Sequence, residues 1–261
     1  MSSSPAPRPP IDPDRLTAPP GWRIVLSDAS PSTNADAARL AREGEEAGLV
    51  VVTEHQTAGR GRLDRVWETP ARSSLTFSVL LRPDVPAEKW PWVPLLTGYA
   101  VHAALADRLP EVVLKWPNDV LVEERKVAGI LAERIETPQG PMVVVGIGIN
   151  VDQSLEELPV ALATSVSLET GEPVDRTQLL GQVVGSLHGL QGLLDDTDSL
   201  RAAYADVCST LGRTVDVHLP GAVVRRGEAL DLDSSGALVV GADGGTFTVA
   251  AGDVVHVRPT G

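Results

Sequence analysis

At 261 residues, 43% hydrophobic and 22% charged, the chain is long enough for one large domain with a sizeable core and an appended small one. A formal net charge of −13 argues against general binding to nucleic acid, whose phosphates reward basic surfaces. No run nears the roughly 20 apolar residues of a membrane helix, and a single cysteine, Cys208, excludes a disulfide framework and fits a reducing cytoplasm.

Met1 to Pro20 has no apolar core of the kind a secretory signal carries. Residues 1–21 are rich in Pro and Ser, so a disordered or loosely docked arm is expected, with no room for a helix-turn-helix module before the main domain begins near Trp22. Ser30-Pro31-Ser32-Thr33, followed by Asn34 to Ala41, reads as an N-cap and a first helix. Leu49–Thr53 is a continuous β-branched run, hence a buried strand. Gly59 to Arg72 reads as a glycine- and arginine-rich loop. Leu75 to Leu81 reads as a strand with one mostly buried face, because Thr76 and Ser78 alternate with apolar residues. A helix is predicted over Val93–Leu109, then short strands at Val112–Lys115, Asp119–Val122 and Val127–Glu133, and a buried strand at Met142–Ile149. Asp175 to Cys208 is helical, as two helices or one broken near Gly192. From Gly212 the pattern changes to short β-rich runs separated by Pro220-Gly221, Ser235-Gly236 and Gly244-Gly245, the spacing of a small barrel. The division this suggests is an arm (1–21), an α/β domain (22–208) and a barrel (209–261).

Three segments carry chemistry. Gly59-Arg60-Gly61-Arg62 combines glycines that expose backbone N–H groups with arginines able to grip phosphate or carboxylate oxygens. Around it Arg60, Arg62, Arg65 and Arg72 stand out against the acidic chain, as an anion site or as a solvated charged turn. Lys115-Trp116-Pro117-Asn118-Asp119 presents an amide and a carboxylate at a strand end, which is also what an ordinary Asn-Asp turn looks like. Lys126 opens an apolar strand that contains Gly129, suggesting a charge projecting over bare backbone. Only three of the 22 basic residues are lysines, and two of them, Lys115 and Lys126, lie in these segments. That points to sites needing a compact ammonium ion. The five histidines show no metal-ligand spacing, and Cys208 reads as inert packing.

In this order and spacing, and with Ser32-Thr33-Asn34 and Gly146-Ile147-Gly148-Ile149-Asn150, the segments resemble those of the biotin protein ligases over residues 32–150. The type resembled is the monofunctional one, which lacks an N-terminal DNA-binding domain. The resemblance implies an α/β (α+β) fold: a mixed-sheet catalytic domain, similar to the class II aminoacyl-tRNA synthetase-like biotin/lipoate ligases, with a C-terminal SH3-like barrel. It implies ATP-dependent formation of biotinyl-5′-AMP, with Mg²⁺, followed by transfer of biotin to a lysine of a biotin carboxyl carrier protein domain of acyl-CoA or pyruvate carboxylases. The protein implied is cytoplasmic, a monomer or weak homodimer, without nucleic-acid or membrane partners. By the same resemblance, Ser32, Thr33, Asn34 and Gln56 contact the rings of biotin, and Arg60, Gly61 and Arg62 close over it and hold the adenylate. Trp67 packs on the adenine, Asn150 bonds to it, and Lys115 and Asn118 belong to the same nucleotide group. Asp119 sits beside the magnesium or takes the amine proton. Lys126 bridges the biotin carboxylate and the α-phosphate, and Gly129, Gly146 and Gly148 form the floor. One departure stands in the arginine loop, where Leu63-Asp64 replaces the family's usual glycine; Asp tolerates left-handed backbone geometry better than most residues, which lets the loop close. The competing readings are a lipoate or octanoate ligase, a biotin-responsive repressor, and a non-catalytic biotin-binding module.

Overall fold

The structure is a computed structural model that describes residues 8–160, 162–219, 223–250 and 253–257. In chain order its first elements are β1 (Arg23–Ser27), α1 (Thr33–Arg42), β2 (Leu49–Thr53), β3 (Gly59–Arg60), β4 (Val66–Trp67) and β5 (Ser74–Leu81). Next come α2 (Trp92–Leu105), β6 (Val112–Lys115), β7 (Asp119–Val122), β8 (Arg125–Thr137), β9 (Gly140–Asn150), α3 (Val166–Thr170), α4 (Arg176–Leu190) and α5 (Thr197–Asp206). The C-terminal strands are β10 (Thr214–Leu219), β11 (Val223–Leu232), β12 (Leu238–Ala242), β13 (Gly245–Val249) and β14 (Asp253–His256). They group into two compact units: one takes the chain up to Arg82 and from Glu124 to Gly185, the other Pro83–Glu123 and Ser186–Gly261.

In the first unit the strands lie in the order β1-β2-β5-β9-β8, with β1 parallel to β2 and the remaining pairs antiparallel. Helix α1 buries Ala37 and Ala41 against Leu49, Val51, Leu80, Met142 and Val144 of the sheet. Strand β5 is central and all eight of its residues are buried, which corrects the expectation of a single buried face. Its alternating Thr76 and Ser78 are interior polar groups, and Ser78 is held by hydrogen bonds. The expected strand at Val127–Glu133 is the centre of a longer one, β8, in a long antiparallel ladder with β9.

Within the N-terminal arm, residues 8–12 are docked by specific contacts. Ile11 is 2% exposed, its N–H donates to Glu54, and Arg8 pairs with Asp152 and Glu157. Composition argued for looseness because little apolar surface is available. The docking instead uses backbone groups, one arginine and one isoleucine. Residues 1–7 lie outside the described residues.

In the second unit α2 is nearly surrounded, with Trp92, Leu96, Val101 and Leu105 fully buried; it ends at Leu105, short of the predicted Leu109. β6 and β7 form an antiparallel hairpin with Leu114 opposite Val120. The C-terminal strands form one antiparallel sheet, β13-β12-β11-β10-β14, burying Val215, Val217, Leu238 and Val240. Two tryptophans tie earlier chain to this sheet: Trp92 Nε1 donates to Ser234 O, and Trp116 Nε1 to Gly236 O. The helical stretch before it is realised as α4, a 3₁₀ turn at Gln191–Leu194, and α5.

Candidate functional site

In the first unit the start of α1 is a buried polar cluster. Ser32 is the N-cap, its hydroxyl accepting from Ala35 N–H, which satisfies one of the helix's unpaired donors. Thr33 donates to Gln56 Oε1 from both its backbone N–H (2.9 Å) and its hydroxyl (3.3 Å). Asn34 donates through Nδ2 to Glu133 (2.6 Å) and to Leu131 O (3.3 Å), while Ser78 Oγ lies 2.6 Å from Asn34 Oδ1 and 2.7 Å from Thr33 Oγ1. Ser32, Thr33, Asn34 and Gln56 are only 2–8% exposed. A Cβ on Gly146 would come 2.3 Å from Asn34 Oδ1, so glycine is needed there for the amide to lie against β9.

The arginine loop is not structureless. Gly59 pairs with Trp67 and Arg60 with Val66 in a two-stranded ladder, β3–β4, closed by a 3₁₀ turn at Arg62–Asp64. Gly59 is dictated by space, since a Cβ would sit 2.3 Å from Gln56 Nε2 and from Trp67 O. Within this turn the left-handed geometry falls on Leu63 (φ 54°, ψ 41°), beside the more tolerant Asp64. Arg60 is exposed; Gly61 and Arg62 are half-buried.

β4 carries Trp67 onto the glycine strands. A Cβ on Gly148 would lie 2.5 Å from the Trp67 ring, and one on Gly129 would lie 2.9 Å from Lys126 Nζ and 3.6 Å from the ring. Lys126 Nζ is 5.7 Å from the ring centroid, within cation–π range. The backbone of Lys126 is fixed by Leu162 O and Thr164 N–H. Trp67 Nε1 is buried without a hydrogen-bond acceptor among the described residues, and a buried donor of this kind suits an incoming acceptor. Asn150, 3% exposed at the end of β9, donates to Thr164 O and Lys126 O and accepts from Gln153 Nε2. Its amide ties down the backbone that carries Lys126.

The remaining predicted residues lie in the second unit. Lys115 ends β6 opposite Asp119 in the β6–β7 register, and Asn118 occupies the intervening turn; all three are half-buried. Trp116 between them is 1% exposed and anchored to Thr210 and Gly236, so it is a structural residue of the motif. Asn118 and Asp119 offer two oxygen-bearing side chains for a magnesium ion, and no group of three or more His, Cys, Asp or Glu among the described residues is arranged for a metal. Such a pair suits Mg²⁺ that takes its other oxygens from phosphate and water. Burial pushes the Cys208 thiol upward and the His102 imidazole downward, which keeps both uncharged near neutral pH.

Two members of the cluster were not foreseen. Ser78 hid in an alternating strand pattern that looked half exposed, and Glu133 looked like the polar end of an apolar run. A hydroxyl within a strand flanked by other predicted strands was the available signal for the first.

Residues 27–150 match the model of the biotin/lipoate A/B protein ligase family, and residues 210–257 that of the biotin protein ligase C-terminal domain. A biotin–[acetyl-CoA-carboxylase] ligase of Mycobacterium tuberculosis is 39% identical, over 96% of this chain and 97% of that protein. One of Paracoccus denitrificans is 32% identical, over 85% and 96% respectively. The biotin protein ligase of Aquifex aeolicus, solved in complex with biotin and ATP, superposes with a TM-score of 0.75 at 28% identity, covering 90% of this chain and 98% of that one. With these likenesses running over almost its full length, the chain belongs to the biotin protein ligase family.

Proposed function

We propose that this chain is an ATP-dependent biotin protein ligase that forms biotinyl-5′-AMP and passes the biotinyl group to a lysine of a carboxylase's biotin carboxyl carrier domain. The observation that carries this is Lys126, presented beside Trp67 over Gly129 within the same unit as the buried Thr33–Asn34–Gln56–Ser78 cluster. In the first step a biotin carboxylate oxygen attacks the α-phosphorus of ATP and pyrophosphate leaves. Two anions must meet, so the Lys126 ammonium, with the Arg60 and Arg62 guanidiniums on the loop, offsets their repulsion and stabilises charge developing on the phosphate. In the second step a carrier lysine amine attacks the acyl carbon, AMP leaves, and the amine proton passes to a base, for which Asp119 is the candidate. Magnesium supplied with the nucleotide shields phosphate charge, and Asn118 and Asp119 are the residues that would hold it.

The cluster at α1 supports biotin over lipoate. A fused ureido ring offers N–H and C=O groups that can exchange hydrogen bonds with Thr33, Asn34 and Gln56, whereas a dithiolane ring offers none. Trp67, with its buried Nε1–H, and Lys115 are assigned to the nucleotide, and Asn150 to holding the Lys126 backbone beside it. Ser32 and Gly146 shape the biotin end, and Gly61, Gly129 and Gly148 give close backbone approach.

As functional domains we assign 22–208 to catalysis and 209–261 to the small β domain, in keeping with the separate family matches at 27–150 and 210–257. No helix among the described residues is long and apolar enough to cross a membrane; a cytoplasmic monomer or weak homodimer without nucleic-acid partners completes the proposal. The test is incubation with biotin, Mg·ATP and a carboxylase carrier domain, with lipoate as competitor. One biotinyl group per carrier is expected by mass, undiminished by lipoate; an unchanged carrier, or a lipoylated one, overturns the reading.

A further inference from the structure

We propose that residues 8–12 form a strap that sets the feet of the arginine loop and the segment following Asn150, with Arg8 and Arg176 as positioning residues for retention of the adenylate; this rests on the function proposed above. The loop springs from Glu54 and returns at Ser73-Ser74, where Arg72 N–H donates to Glu54 O, and Val151 and Asp152 N–H donate to Ser73 O. These few bonds join the loop's two feet to each other and to the chain just beyond Asn150. The strap engages each in turn. Glu54 accepts from Ile11 N–H at 2.5 Å and faces Arg176 at 2.7 Å, in ion-pair contact, both side chains being 5% exposed. The same guanidinium donates to Ser74 O and to Pro9 O, so a single buried side chain ties the exit foot to the strap. Arg8 grips the third point, donating to the carboxylate and carbonyl of Asp152 and to both oxygens of Glu157.

Geometry makes the coupling specific. Ser74 pairs with Asn150 across β5–β9, and Asn150 holds the carbonyl of Lys126. A strap that fixes Ser74 and Asp152 therefore brackets Asn150, while its bond to Glu54 fixes the strand end from which Gln56 and the loop depart. Asn34 in the polar cluster at α1 is held separately by Ser78 and Glu133. Loosening the strap should therefore act chiefly on the loop that closes over the adenylate, and reach the biotin ring only through Gln56.

The experiment compares wild type with Arg8→Ala, Arg8→Lys and Glu157→Gln. Amide hydrogen exchange on the unliganded protein should quicken about tenfold at Arg72, Val151 and Asp152 in Arg8→Ala, the loss expected for a few charge-assisted hydrogen bonds at a partly exposed site, and remain unchanged at Ala132 and Val145 in the β8–β9 ladder. Release of preformed biotinyl-adenylate should quicken by a similar factor with a smaller change in the KM for biotin, and Arg8→Lys should recover part of both effects. Quickened exchange confined to residues 8–12, or coupled exchange with an unaltered release rate, overturns the proposal. Should Arg8→Ala not fold, Glu157→Gln keeps the contacts of Arg8 with Asp152 while weakening those with position 157, and should move exchange and release in the same direction by a smaller factor. A wild type that makes no adenylate refutes the assigned function instead, and the exchange measurement still decides whether the strap governs the loop.

Discussion

Replacing Gly146 by alanine tests the polar cluster at its tightest point. The new Cβ would stand 2.3 Å from Asn34 Oδ1, and ordinary contact begins near 3.4 Å, so the amide must retreat by about 1.1 Å. It cannot retreat freely. Oδ1 is 2.6 Å from Ser78 Oγ, and Nδ2 is 2.6 Å from Glu133 Oε2. A displacement of that size breaks both, losing about 1 kcal/mol for the neutral bond and about 1.5–3 kcal/mol for the one to the carboxylate. The total, about 2.5–4 kcal/mol, divides between folding and biotin binding, since at 1.4 kcal/mol per decade it equals roughly 60- to 700-fold. Urea unfolding and the KM for biotin should be measured on one preparation, and the two changes added. Stability and KM both within twofold of wild type would show that Asn34 is not held as described, and the biotin-site assignment would fall with it.

Three further outcomes are expected. Gly148→Ala must lift the Trp67 ring by about 0.9 Å, from 2.5 Å to ordinary contact, so adenylate release should quicken with a change in tryptophan fluorescence; an unchanged release rate would remove Trp67 from the site. Arg60→Ala should speed adenylate release without altering the unfolding midpoint, since the side chain is exposed; a normal off-rate would take the loop out of the mechanism. Hydrogen bonds from Arg8 hold the Glu157 carboxyl below its ordinary value of 4.5, so the stability it contributes is present above that value and lost as the pH falls through its lowered one. Wild type should therefore lose more stability than Arg8→Ala on acidification below pH 4.5, and parallel curves would contradict the assignment.

Much of the architecture was legible because its punctuation is local. The C-terminal strands could be placed within a few residues from Ser235-Gly236, Gly244-Gly245 and alternating valines, for which neighbouring strands are enough context. The glycines at 129, 146 and 148 read as bare floor, and each proves to leave room for one particular side chain: Lys126, Asn34 and Trp67. What escaped depends on contacts far apart in sequence. Glu133 meets Asn34 across 99 positions and Arg8 meets Glu157 across 149, and no periodicity reports such pairings. The left-handed Leu63 escaped because propensity favours its neighbour Asp64, while the turn's geometry assigns positive φ by position. Strand β5 was misjudged because alternation is evidence for a solvent face only when one exists, and a central strand under α1 has none.

The most direct test is biotin-dependent exchange of pyrophosphate into ATP, measured for wild type and for Lys126→Ala at matched substrate saturation. If an ammonium over Gly129 offsets the meeting of carboxylate and phosphate, the variant should lose roughly 10²–10³-fold in exchange rate, about 2.7–4 kcal/mol of barrier, while staying folded. Exchange at a near wild-type rate would contradict the role given to Lys126 and the mechanism that follows from it.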